Sequence, residues 1–139
     1  MMKFKGKIAV VTGGAHGIGK CICEEFEKEG AAVCVIDLLD NPCFQGDLAD
    51  RDTLERFAAE VISRHGRVDY LINNAAPISR GIESASYEEF EYALKVGVTA
   101  PFYLTKLFLP HFAPGAAVVN ISSSRSMSSR AGWPSHSTS

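Results

Sequence analysis

The sequence predicts an α/β protein built on a doubly wound parallel sheet, with helices on both of its faces. Two observations lead to this prediction: apolar runs alternate with stretches of helical periodicity, and a glycine-rich turn over residues 12–19 joins the first apolar run to the first helix. The run over residues 31–37 is continuous and almost wholly apolar, as expected for a strand that is covered on both faces. Alternating strands and helices favour parallel strands joined by right-handed crossovers.

The first four elements are predicted to be a strand, a helix and two further strands. Residues 7–12 form the first strand, and a helix follows over about residues 17–29, where Gly30 can end it. A second strand covers residues 31–37, and a short third strand lies near residues 43–46. One face of the helix is expected to carry three apolar side chains: Ile18, Ile22 and Phe26.

The second helix has the clearest apolar pattern in the chain. Asp50 is placed to cap its first turn, and the helix is expected to end near Gly66. A fourth strand, residues 68–73, follows directly. The apolar residues of the helix have the i, i+3, i+4, i+7, i+8 spacing of a helix packed on one face: Leu54, Phe57, Ala58, Val61 and Ile62.

A long helix and a fifth strand complete the predicted sheet. After a loop over residues 74–85, Ser86 and Glu89 have the spacing of a capping box. The helix that they begin is expected to reach about His111, and residues 116–121 form the fifth strand. This strand is expected to be an exposed edge of the sheet.

The composition argues against several classes of protein. The chain of 139 residues suffices for one domain, and its net charge of -2 provides no basic patch for nucleic acid. No apolar run reaches the roughly 18 residues that a membrane helix needs, so no membrane partner is expected. The N-terminal residues lack the apolar stretch of a signal peptide, which predicts a cytoplasmic location.

The four cysteines are interpreted as reduced, small apolar residues. None belongs to a CxxC pair, and no cluster of histidines accompanies them, so no metal site is expected. A disulfide or a metal role is the less favoured alternative. The positions concerned are Cys21, Cys23, Cys34 and Cys43.

The glycine-rich turn is typical of a phosphate-binding site. Gly13, Gly17 and Gly19 permit a tight turn that a ligand can approach closely, and the helix that follows directs its first N–H groups at that ligand. This arrangement suits a pyrophosphate. Ile18 lies within the turn, and His16 can either lean toward a phosphate or remain a solvated loop residue.

Polar residues at the ends of the second, third and fourth strands are candidate ligands of a nucleotide. Asp37 can accept hydrogen bonds from ribose hydroxyls and would repel a 2′-phosphate, which favours NAD over NADP; the alternative is a solvated acid. Asp47, followed by Leu48, can accept from an adenine amino group or cap a helix. Asn74 and Ala75 can line the crevice or form a plain turn.

Taken in order, these motifs resemble the front part of the short-chain dehydrogenase/reductase family. The resemblance covers nearly the whole chain and implies a Rossmann-like fold, truncated after about five strands. It also implies NAD(P)-dependent hydride transfer with a small alcohol or ketone as substrate, and a homo-oligomer associated through the long helix. The matching segments are Thr12-Gly13, Gly17, Gly19, Asp37, Asp47-Leu48, Asn73-Asn74-Ala75 and Asn120-Ile121-Ser122-Ser123.

The catalytic groups of the family are matched unevenly. Ser123 takes the position of the family's Ser, whereas His136 takes that of its Tyr and Gly97 that of its supporting Asn. The family's Lys would follow Ser139. Because an imidazole has a pKa of about 6.5, His136 is a candidate acid or base without that Lys; the alternative is an idle His. Pro101 is expected to kink the long helix near Gly97.

The resemblance divides the chain into two parts. Residues 1–121 are the dinucleotide-binding portion, and residues 122–139 are a Ser-rich tail that covers the start of the active-site segment. Two functions are therefore considered. The first is an NAD-dependent oxidoreductase of alcohols and ketones that is impaired in the chain as given. The second is a nucleotide-binding or association module without catalysis.

Overall fold

The computed structural model describes residues 2–76, 81 and 83–121. Within them, five parallel strands form one sheet in the order β3-β2-β1-β4-β5. The predicted doubly wound α/β fold is confirmed. The strands are β1 (Ile8–Thr12), β2 (Ala32–Asp37), β3 (Phe44–Gln45), β4 (Val68–Asn73) and β5 (Phe112–Asn120).

Helices connect most of these strands. Two single helices precede β2 and β4: α1 (Gly17–Lys28) and α2 (Arg51–His65). The long helix before β5 is divided into α3 (Tyr87–Leu94), a π-helical turn (Lys95–Thr99), α4 (Ala100–Phe108) and a 3-10 turn (Leu109–His111). The capping box of Ser86 and Glu89 is confirmed at the start of α3. None of the helices in the described ranges is long and apolar enough to cross a membrane.

The direction of winding reverses between β1 and β4. From β1 the chain proceeds to β2 and β3 on one side, and then returns through α2 to β4 and β5 on the other. The carboxyl ends of β1 and β4 therefore lie side by side at the point of reversal. In open α/β sheets, this point is where a crevice forms.

Each face of the sheet has its own apolar core. The larger core lies under α2 and α4 and includes Phe57, Leu104 and Phe108, each no more than 2% exposed. The smaller core lies under α1 and is built on Val11, Cys23 and Ile72. The buried residues thus include Cys23 and Cys34, in keeping with their interpretation as small apolar side chains.

The packed face of α1 differs from the prediction. The buried residues of this helix are Gly19 and Cys23, and Ile22 and Phe26 pack beside them. Ile18, which was expected on the same face, is 67% exposed. Ile18 is therefore not part of the packed face of α1, although Gly19 beside it is buried.

The connection between β2 and β3 is short for two parallel strands. It spans residues 38–43, whereas a parallel crossover ordinarily needs about a dozen residues or more. Six suffice because Phe44 pairs with Ile36, close to the end of β2, so the chain does not return along the strand. Asn41 holds this loop: its Oδ1 accepts from the N–H groups of Cys43 (2.8 Å) and Phe44 (2.9 Å).

Three details at the ends or bends of these elements modify the predictions. Asp50 is the N-cap residue directly before α2, as expected, but its carboxylate accepts from the Thr53 hydroxyl at 2.7 Å rather than capping a backbone N–H. The long helix leaves α geometry at residues 95–99, where Pro101 was expected to kink it. β5 begins at Phe112 rather than at residue 116, because the strand pairs with Val68 before an irregularity in register.

A buried ion pair closes the amino edge of the sheet. Asp69, in β4, is 2% exposed, and its Oδ2 accepts from the backbone N–H of Ile8 at 2.9 Å. Arg67 donates to both of its oxygens, at 3.1 and 2.5 Å, and Lys7 lies 3.9 Å away. Burial opposes the charge, but the hydrogen bonds from Arg67 and Ile8 outweigh it and hold the pKa of Asp69 below its usual value.

Candidate functional site

At the opposite, carboxyl edge, hydrogen bonds join the ends of β1 and β4. The Thr12 hydroxyl oxygen accepts from the backbone N–H groups of Asn74 (3.0 Å) and Ala75 (2.9 Å). The Asn74 amide in turn donates to the carbonyls of Thr12 and Gly13, both at 3.2 Å. Asn73 joins the next pair of strand ends, because its side-chain amide donates to Oδ1 of Asn120 in β5 at 2.9 Å.

The glycine-rich turn packs closely against its surroundings, and side chains at Gly13 or Gly19 would collide with them. A Cβ atom on Gly19 would lie against the carbonyl oxygen of Gly13 and the amide of Asn74, far inside van der Waals contact. Gly13 has φ of 68°, in the left-handed region, and a Cβ there would lie 3.0 Å from the Cα of Ala75. These glycines let the turn, the start of α1 and the end of β4 meet without intervening side chains.

The start of α1 supplies backbone donors. The helix begins at Gly17, and its first backbone hydrogen bond joins the N–H of Lys20 to the carbonyl of His16 at 3.1 Å. The backbone N–H groups of residues 17–19 therefore have no acceptor within the helix and can donate to a ligand. Together with the helix dipole, they favour an anion at this end of α1.

Asp37, at the end of β2, is a second buried carboxylate. It is 4% exposed, and its Oδ2 accepts from the Ala15 N–H at 2.9 Å and lies 3.0 Å from Nδ1 of His16. Its Oδ1 accepts from the Leu39 N–H at 2.9 Å. His16 itself leaves 62% of its side chain exposed. The carboxylate is thus fixed by two backbone N–H groups and covered by the exposed imidazole of His16.

Asp47 follows β3 and is anchored through one oxygen. Its Oδ1 accepts from the backbone N–H of Ala49 at 2.8 Å and from the Tyr92 hydroxyl at 2.9 Å. The first contact is a local turn to the residue two positions later, not the helix cap that was the alternative to ligand binding, since the N-cap of α2 is Asp50. The second joins the loop after β3 to α3.

The predicted residues come together around one cavity of about 430 Å³. Nine of the ten predicted cofactor-binding residues line it: Gly13, His16, Gly17, Ile18, Asp37, Asp47, Leu48, Asn74 and Ala75. The tenth, Gly19, does not line the cavity but lies behind it, against Gly13 and Asn74. Residues from four separate stretches of sequence are therefore gathered at the carboxyl edge.

Five further lining residues were not predicted. They are mostly apolar: Leu38, Leu39, Ala76, Tyr92 and Val96. Leu38 and Leu39 follow Asp37 directly, so their place in the site could have been predicted from that of Asp37. Tyr92 and Val96 are contributed by the long helix, whose apolar pattern was interpreted only as packing and association.

The predicted catalytic residues, Ser123 and His136, lie outside the described residues, as does the Ser-rich tail over residues 122–139. Gly97, at the position of the family's Asn, lies in the π-helical turn, and a Cβ atom there would meet nothing within 4 Å.

Comparison with known proteins decides the family. The sequence pattern that defines the short chain dehydrogenases matches residues 7–139. The chain belongs to the short-chain dehydrogenase family. Its place in this family is consistent with the doubly wound sheet and with the cavity at the carboxyl edge.

Relatives of known sequence or structure support this placement. L-fucose dehydrogenase of Rattus norvegicus is 32% identical over 136 residues, which cover 87% of this chain and 50% of the relative. An uncharacterized oxidoreductase of Bacillus subtilis, YhdF, is 30% identical over 140 residues, covering 87% and 48%. The structure of an apo SCOR enzyme from Clostridium thermocellum superposes with a TM-score of 0.81 at 38% identity, covering 91% of this chain and 57% of that one. The chain spans about half the length of the curated relatives it matches.

Proposed function

We propose that this short-chain dehydrogenase binds NAD at the carboxyl edge of its sheet, in preference to NADP. The observation that carries the proposal is the cavity of about 430 Å³, in which a helix N-terminus, the buried Asp37 and the carboxylate of Asp47 face one space. These are three kinds of recognition group: donors for a pyrophosphate, an acceptor for ribose and an acceptor for a base.

The pyrophosphate would be held by the glycine-rich turn. Gly13 and Gly17 present backbone without side chains, and the first N–H groups of α1 supply donors. Gly19 contributes indirectly, since it allows α1 to approach Gly13 and Asn74. The cradle fits an anion, and a larger residue at position 19 would disturb it.

The adenosine ribose would be recognised by Asp37. A carboxylate has about four acceptor positions, and the described contacts of Asp37 place two donors on Oδ2 and one on Oδ1. A ribose hydroxyl can therefore bind at Oδ1, and displacement of the exposed His16 would open a second position. A 2′-phosphate would bring negative charge against a carboxylate that is 4% exposed, which disfavours NADP.

The base would lie against the apolar part of the cavity. Leu48 and Ala75 line it together with Leu38 and Val96, and Asp47 adds the polar group that an adenine amino group needs. Flat apolar surfaces with a few placed acceptors are typical of nucleotide-base sites.

The proposed reaction is hydride transfer between an alcohol and a ketone. The nicotinamide supplies or accepts the hydride when it is bound. Ser123 would hydrogen-bond the substrate oxygen. His136 would act as the acid or base that gives a proton to that oxygen or takes one from it. The homo-oligomer and the cytoplasmic location predicted from the sequence remain predictions.

A second candidate function, a nucleotide-binding module without catalysis, is favoured by Gly97 and His136. These residues replace a supporting amide and a phenol of the family pattern. We accordingly expect little or no turnover of secondary alcohols by the 139-residue chain. Sustained NADH production by the purified chain, at a rate that depends on alcohol concentration, would contradict this expectation.

Thermal unfolding with added cofactor tests the binding proposal. NAD is expected to raise the melting temperature of the 139-residue chain more than NADP does at equal concentration, since each stabilises the folded state according to its affinity. Equal shifts in melting temperature with the two cofactors would contradict the proposed preference for NAD. The absence of a shift with either cofactor would contradict the proposed binding site. Asp37→Asn should weaken this preference, and Asp40→Asn, which changes an exposed acid in the loop after β2, is its matched control.

A further inference from the structure

Tyr92 makes a tertiary contact within the proposed nucleotide site. Its hydroxyl donates a 2.9 Å hydrogen bond to Oδ1 of Asp47, which is 45 positions earlier in the chain. Both side chains line the cavity. The ring of Tyr92 also packs against the larger core, and the capping box at Ser86 fixes the start of the helix that carries it. The packing of the ring and the capped start of α3 therefore fix the position of the Tyr92 hydroxyl.

We propose that Tyr92 is a positioning residue that makes this site specific for adenine, by orienting the carboxylate of Asp47 toward the amino group of the base. The inference rests on the proposed function, because it concerns the base of the same dinucleotide. It adds a residue that contributes to base recognition through Asp47 rather than through its own contact with the base.

The division of hydrogen bonds on Asp47 supports this role. The Ala49 N–H (2.8 Å) and the Tyr92 hydroxyl (2.9 Å) both donate to Oδ1. A carboxylate oxygen has two lone pairs, so these donors fill Oδ1 and leave Oδ2 as the acceptor for a ligand. Because two donors from different directions bind one oxygen, the carboxylate has little freedom to rotate.

The hydroxyl of Tyr92 remains a donor throughout the physiological pH range. Burial, followed by the hydrogen bond to Asp47 and the charge of that carboxylate, raises the pKa of Tyr92 to about 12. A phenolate, which could not donate and would repel Asp47, is therefore not formed near neutral pH. The hydrogen bond that orients Asp47 is therefore maintained near neutral pH.

The oriented carboxylate distinguishes between two purine bases. Adenine carries an amino donor at the edge where hypoxanthine carries a carbonyl oxygen. Oδ2 of Asp47 would accept from the amino group but would face the carbonyl oxygen as a second acceptor. Sites that are built to hydrogen-bond a ligand group reject analogues that leave their polar atoms unpaired.

Calorimetric titration of the 139-residue chain with NAD and with nicotinamide hypoxanthine dinucleotide tests the inference. The wild-type chain is expected to bind NAD about tenfold more tightly, the factor for one charge-assisted hydrogen bond. In Tyr92→Phe, which keeps the ring, this preference should fall to about threefold or less. Tyr87→Phe, at the exposed start of the same helix, should retain the wild-type preference.

A double-mutant comparison separates positioning from packing. Asp47→Asn should reduce the preference even with Tyr92 intact, and in an Asp47→Ala chain the added Tyr92→Phe change should have no further effect. A Tyr92→Phe chain with the wild-type preference would overturn the inference, as would a wild-type chain that binds both dinucleotides equally. Failure of the wild-type chain to bind either would instead overturn the proposed function, and this inference with it.

Discussion

Two buried aspartates lie at opposite edges of the same sheet and differ in their partners. Asp69, at the amino edge, is 2% exposed and is neutralised by Arg67, with Lys7 nearby. Asp37, at the carboxyl edge, is 4% exposed and is held by two backbone N–H groups and the exposed imidazole of His16. Asp37 lines the cavity at the carboxyl edge, whereas Asp69 does not. Burial by itself therefore does not separate a structural acid from a recognition acid; the partners and the adjoining space do.

The two edges also differ in what fills them. The amino edge is occupied by charged side chains that pair with one another, whereas the carboxyl edge is occupied by glycine backbone and a helix N-terminus. Changes at the amino edge should consequently affect stability alone, and changes at the carboxyl edge should affect nucleotide binding.

Gly19→Ala should have the largest effect, because the added Cβ would meet the Gly13 carbonyl and the Asn74 amide. We expect a loss of about 3 kcal/mol in the free energy of unfolding, together with loss of NAD binding. Urea denaturation and NAD titration measure the two effects. Gly97→Ala, where the Cβ has open space, is the control and should change stability by less than about 1 kcal/mol. Similar results for both glycines would contradict the close approach at Gly19.

Asp69→Ala should destabilise the fold without changing cofactor preference. It removes the acceptor of the buried Ile8 N–H and the partner of Arg67, which we expect to cost about 2 kcal/mol. Urea denaturation measures the loss, and NAD and NADP titrations of the folded variant should give the wild-type ratio. A changed ratio would mean that the two edges are not independent.

Asp37→Asn should change preference more than stability. The amide keeps one acceptor oxygen but removes the charge that opposes a 2′-phosphate, so the ratio of NAD to NADP affinity should fall about tenfold. Competitive titration of the two cofactors measures this ratio. If the ratio persists in Asp37→Asn, a group other than Asp37 sets the preference.

Acidification should produce the smallest effect, and it should act through Asp69. The folded-state pKa of Asp69 is lowered, so its contribution to stability is complete above the unfolded pKa of about 3.9 and is lost as pH falls through the folded value. The difference between the urea midpoints of the wild-type chain and of Asp69→Asn should therefore begin to shrink below about pH 4 and continue to shrink as the pH falls further. A constant difference down to the lowest pH at which the chain folds would contradict this assignment.

Much of the carboxyl edge could be predicted because its signals are local in sequence. The glycine spacing at 13, 17 and 19 and the acid at the end of an apolar strand are each readable within a few residues, and the parallel sheet then brings them together. The apolar pattern of α2 was equally local, and Leu54, Phe57, Ala58 and Val61 are all buried as predicted.

The features that the sequence did not reveal depend on tertiary geometry. The contact between Tyr92 and Asp47 joins residues 45 positions apart, and nothing near Tyr92 marks it as part of a site. Ile18 fits the apolar stripe of α1, yet it is exposed and lines the cavity. The short β2–β3 connection depends on a pairing register that begins at Ile36, which composition does not encode.

The most direct test of the two-edge account is a map of backbone amide shifts during NAD titration of the 15N-labelled 139-residue chain. We expect shifts that saturate at the carboxyl edge, at Gly13, Gly17, Asp37, Asp47 and Ala75, while the amide shifts of Ile8, Arg67 and Asp69 remain unchanged. Shifts centred on the amino edge, or no saturating shifts at the carboxyl edge, would contradict it.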